Sequence, residues 1–81
     1  ILWVSENQAP YVETKPFHHT QEIEKENVDG SKIFRLRIII NYELERKILG
    51  YGPHIKVIEP KHLKQRIANE LILAAERYRV D

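Results

Sequence analysis

Residues Ile33–Pro60, IFRLRIIINYELERKILGYGPHIKVIEP, decide how this chain is read. Phe34, Leu36, Ile38 and Ile40 recur at every second position, the period of a strand with one buried face. The alternate positions are Ile33, Arg35, Arg37 and Ile39, so the other face is half apolar and carries two guanidiniums. Asn41 then predicts a helix cap, and Leu44, Ile48 and Leu49 give the stretch from about Tyr42 to Leu49 an apolar stripe. Gly50 reads as its C-cap and Gly52-Pro53 as the rest of the reversal. A second strand, His54–Glu59, places Ile55 and Val57 on one face and Ile58 on the other.

Working outward, Lys32 begins the first of these strands, and Asp29-Gly30 just before it predicts a hairpin tip that needs positive φ. The preceding Thr20–Lys25 is polar with a single central Ile, which suits an edge strand. At the N-terminal side, Ile1–Ser5 reads as a strand. Glu6–Lys15 reads as a short helix capped by Asn7, with Pro10 in its first turn and Pro16 as its stop. At the other end, Pro60 fits the first position of a helix running to about Tyr78, with Leu63, Ile67, Leu71, Ala74 and Tyr78 on one stripe. Ile72 and Leu73 fall outside that stripe and mark a second, partner-contacting surface. The order is β-α-β-β-α-β followed by α. It predicts an α+β fold, a ferredoxin-like split β-α-β antiparallel sheet with an added C-terminal helix.

The 81 residues make one domain. The chain opens on Ile1 and contains no Met, so the expectation is a C-terminal fragment of a larger protein. Thirteen Lys and Arg against twelve Asp and Glu give a formal charge of +1, far from the balance of an autonomous nucleic-acid binder. Cysteine is absent, which excludes disulfides and zinc–thiolate sites and fits a cytoplasmic location. No apolar run reaches the length of a membrane span.

Little in the chain resembles catalytic equipment. His18, His19, His54 and His62 form no metal-ligand spacing, and adjacent histidines on a strand point to opposite faces. Ser5 and Ser31 lack the strained elbow that presents a serine nucleophile. Gly50-Tyr51-Gly52 has neither the spacing of a phosphate loop nor a following helix. The expectation is therefore a non-enzyme without metal or cofactor. Arg35 and Arg37 share one face of a central strand, with Gln21 and His19 beside them on the neighbouring strand. Two guanidiniums so placed can grip a phosphate or carboxylate; pairing with Glu22, Glu24 or Glu59 is the competing use.

The whole order also resembles a known family. The segments are ILWVSENQAPYVETKPFHHTQ, with Thr20 where a serine is common, then VDGSKIFRLRIII, NYELERKILGYGPHIKVIEP and KHLKQRIANELILAAERY. Together they resemble the C-terminal extension (WCX) domain that follows the WYL domain in bacterial transcriptional regulators. The resemblance implies a regulatory domain that serves effector sensing or oligomer assembly. Its expected partners are WYL and helix-turn-helix domains of the same chain, a second copy in a homodimer, and a small anionic or nucleotide effector. DNA contact is implied only through the helix-turn-helix domain, and membrane contact is not implied. The alternative, read from the residues alone, is a stand-alone anion, nucleotide or nucleic-acid binding module using the arginine-bearing sheet face.

Overall fold

A computed structural model describes residues 1–79. Four strands, β1 (Leu2–Val4), β2 (Glu22–Glu26), β3 (Lys32–Arg35) and β4 (Ile55–Val57), form one antiparallel sheet in the order β2-β3-β1-β4. The helices are α1 (Ala9–Thr14), α2 (Tyr42–Gly50) and α3 (Lys61–Arg79). The fold is α+β, as the alternation of periods predicts. β3 lies between β1 and β2, and β1 between β3 and β4, so each β-α-β unit is split by a strand of the other.

Cross-strand register explains where the core sits. Leu2 faces both Phe34 and Val57, and Val4 faces Ile55, so these side chains share one side of the sheet. The helices add Ala9 and Val12, Leu44 and Ile48, and Leu63 and Ile67 to the same buried cluster. Trp3, Ile33 and Lys56 occupy the opposite side.

β3 is shorter than its alternating pattern, ending at Arg35 where Lys32–Ile40 was expected. Its partners run out: the last β1 pair is Leu2 with Phe34, and the last β2 pair is Glu22 with Arg35. Leu36, Ile38 and Ile40 still pack against the core while Ile39 is exposed, so the two-residue period survives without a ladder. Beyond Glu22, one hydroxyl replaces the missing strand. Thr20 Oγ1 accepts from the Arg37 N–H (3.0 Å) and donates to the Arg37 carbonyl (3.1 Å). A serine hydroxyl at this position would make the same two bonds.

Caps depart from expectation at three places. Asn7 does not cap α1; the N–H groups of Gln8 and Ala9 instead donate to the Ser5 carbonyl. Pro60 precedes α3 rather than opening it, and its carbonyl accepts from Lys64 N–H (3.0 Å). Gly50 closes α2 in helical conformation, and the left-handed residue is Gly52, at φ +58°. Asn41 caps α2 as predicted, its Oδ1 accepting from Leu44 N–H at 2.9 Å.

The hairpin tip is a turn closed by Gly30 N–H on the Asn27 carbonyl, with Gly30 at φ +91°. Asp29 Oδ1 accepts from both the amide and the hydroxyl of buried Ser31, which holds its carboxyl below the usual range. An alanine at Gly30 must adopt the left-handed backbone and displace the Glu6 side chain, so Gly30→Ala should cost about 1–2 kcal/mol. Gly50 has open space and helical geometry, so Gly50→Ala should stabilise by about 0.5–1 kcal/mol. Urea unfolding of the two variants checks both signs.

Candidate functional site

Three surfaces carry chemistry or exposed apolar area. The first is a notch of about 240 Å³ on the arginine side, lined by His19, Thr20, Glu22, Arg35 and Arg37. It brings together three of the four residues singled out for anion binding, His19, Arg35 and Arg37. The fourth, Gln21, lies outside it. Its amide ties the loop to α1, accepting from Phe17 N–H (3.0 Å) and donating to the Val12 carbonyl (3.1 Å).

Charge in the notch is partly cancelled. Arg35 donates to Glu24 Oε1 from Nε (3.1 Å) and Nη2 (2.6 Å), and this carboxylate raises the guanidinium's already high pKa further. Glu22 faces the same space, so an entering anion meets one paired guanidinium, one carboxylate and Arg37. His18 lies against Thr20, with Nδ1 2.8 Å from Oγ1. Since the Thr20 proton points to Arg37, His18 Nδ1–H is the donor in that contact. The longer approach of Thr20 N–H to the same nitrogen, 3.3 Å, is the weaker arrangement.

The second surface is an open cleft of about 610 Å³ between the C-terminal ends of α1 and α2. Tyr51 forms its floor, with Tyr11 6.4 Å away at 54° and Phe17 5.7 Å away at 68°, ring centre to ring centre. Lys15 lies 5.6 Å above the Tyr11 ring, and Lys47 and His54 complete the polar lining. Burial, and secondarily Tyr11, pushes the Tyr51 phenol above its usual pKa. In the sequence, His54 and Gly50-Tyr51-Gly52 draw notice only as metal and phosphate-loop candidates, and Tyr11 and Phe17 read as packing residues rather than a binding cage. The available signal was that Lys15 and Lys47 each sit in the last turn of an expected helix.

His54 Nδ1 is 2.9 Å from Ser5 Oγ, the spacing of a nucleophile and its base. No carboxylate orients the imidazole among the described residues, and Ser5 N–H also donates to the His54 carbonyl at 2.8 Å. The pair is a tie between β1 and the turn before β4. No group of three or more His, Asp or Glu converges among the described residues.

The third surface is the outer half of α3. Leu63 and Ile67 are buried, but Leu71, Ile72, Leu73 and Tyr78 are exposed, Tyr78 at 90%. No described helix is long and apolar enough to cross a membrane.

A family model described as the WCX domain matches residues 1–75. The chain belongs to the WCX domain family. This WCX chain is thus a regulatory C-terminal domain of the WYL-type transcriptional regulators. No curated protein matches the chain.

Proposed function

We propose that this WCX domain works by assembly, pairing two copies of its regulator through the outer half of α3. One observation carries the reading. The stripe that buries Leu63 and Ile67 in the domain's own core continues in register as Leu71, Ala74 and Tyr78, which are exposed, Leu71 at 38% and Tyr78 at 90%.

The same stripe is self-complementary. Its exposed steps Leu71, Ala74, Tyr78 are three and four residues, the spacing of a helix-pair seam. In an antiparallel two-fold arrangement Leu71 meets Ala74 of the second copy. The flanking positions then place Glu70 against Arg77, twice, and Ala68 against Ala75, twice. A lone helix half falls at or below the low end of specific interface size, about 1,200 Å² in total, so the pair should be weak, with Kd of about 10–100 µM. Sedimentation of the chain across that range tests it.

Ile72 and Leu73 lie off this stripe and would meet the WYL domain of the same chain. DNA contact would belong to a helix-turn-helix domain of that regulator, consistent with the near-neutral balance of this one.

A second reading, effector capture at the arginine face, is favoured by the meeting of His19, Arg35 and Arg37 in one notch. Arg37 is the cation there without an ion-pair partner among the described residues. Inorganic phosphate should then shift the Arg37 and Thr20 amide signals, and Arg37→Ala should abolish the shift. Phosphate titration that leaves both signals unmoved excludes this use.

A further inference from the structure

The geometry points to a binding site for a planar aromatic anion in the cleft lined by Tyr11, Phe17, Tyr51, Lys15, Lys47 and His54. This site is separate from the α3 face and from the arginine notch, and its existence does not depend on either.

Four features support it. Its volume, about 610 Å³, falls within the range of roughly 300–1,000 Å³ typical of small-molecule sites. Its apolar surface is aromatic: the rings of Tyr11 and Phe17 stand at steep angles to Tyr51, a corner into which a flat ring can slide against one face and one edge. Tyr11 is half exposed, so its face is accessible.

Charge is the third feature. The chain as a whole carries nearly equal numbers of acidic and basic groups, yet this lining holds two lysines and a histidine and no carboxylate. The carbonyl ends of α1 and α2 also face this region, and Lys15 and Lys47 offset their partial negative charge. Two full ammonium charges exceed the roughly half charge of each helix end, so the local field still favours an anion. Fourth, polar donors stand around the aromatic corner: the Tyr51 phenol, both ammonium groups and the His54 ring. The ligand class is an aromatic ring bearing a phosphate or carboxylate, of mononucleotide size.

The test uses the 81-residue chain and adenosine 5′-monophosphate, with adenosine as the ring without charge and inorganic phosphate as the charge without ring. The nucleotide should move the Lys15, Gly50 and Tyr51 amide signals saturably, and adenosine should do so at higher concentration. Lys15→Gln with Lys47→Gln should weaken the nucleotide about tenfold and leave adenosine unchanged. Tyr11→Ala, at an exposed position, should weaken both. Lys56→Gln, which removes a lysine charge from the opposite sheet face, should change nothing. The site is excluded if the nucleotide leaves the cleft signals unmoved, if Lys56→Gln weakens binding as much as the Lys15→Gln and Lys47→Gln pair, or if adenosine binds as tightly as the nucleotide.

Discussion

Phe34→Ala is expected to cost about 3–5 kcal/mol. A domain of this length has a total stability of only about 4–12 kcal/mol, so the variant should be largely unfolded at the lower end of that range. Phe34 is 1% exposed on an inner strand and faces Leu2 across the sheet. Its other cross-strand neighbour, Ile23, is 44% exposed on the edge strand β2, so little material on that side can collapse into the space left by the ring. Ile23→Ala should accordingly cost less than about 1 kcal/mol. Urea unfolding of the two variants, at a concentration below the onset of self-association, separates them. Equal losses would mean that the core is misplaced.

The second large effect concerns α3. Leu71→Glu puts a carboxylate into the middle of the proposed seam on both copies, where each must lose water against Ala74 of the other. Burying an unpaired charge is far more expensive than the apolar area lost, so pairing should weaken at least a hundredfold. The same change should leave folding almost untouched, because Leu71 is 38% exposed and contributes nothing to the buried cluster. Concentration-dependent sedimentation, read beside urea unfolding, distinguishes an interface residue from a core residue. A variant that still pairs as the parent does removes Leu71 from the contact.

Much of the fold was legible in the sequence because it rests on local periods. The two-residue alternation of Phe34 to Ile40 appears in the structure, and the stripe expected on α3 is buried at Leu63 and Ile67 while Leu71, Ala74 and Tyr78 lie exposed. Gly30 supplies the positive φ that the Asp29-Gly30 tip required. Element ends were less legible, because partners set them. β3 stops where β1 and β2 stop, whatever its own residues prefer. The left-handed turn fell to Gly52 because Gly50 could be accommodated in the last turn of α2.

The sites divide along the same line. Arg35, Arg37 and His19 could be placed together from strand alternation, and one notch does hold all three. The carboxylate that occupies Arg35 was one of three candidates, and it is Glu24, at the bulge between Ile23 and Lys25. The aromatic cleft is a tertiary product. Tyr11, Phe17 and Tyr51 come from α1, a loop and the end of α2, and no spacing within any one segment announces their meeting.

Charge exchange across α3 tests the assembly claim most directly. Glu70→Arg and Arg77→Glu should each weaken self-association about tenfold, since either change sets like charges face to face in two places. Mixing the two single variants should restore pairing as a heterodimer, because each then offers the charge that the other lacks, and the double variant should pair with itself like the parent. Sedimentation equilibrium of the two variants, alone and mixed, reads this out. Recovery on mixing is the predicted result. Two single variants that associate as the parent does, or that stay apart when mixed, would contradict an antiparallel pair built on this face.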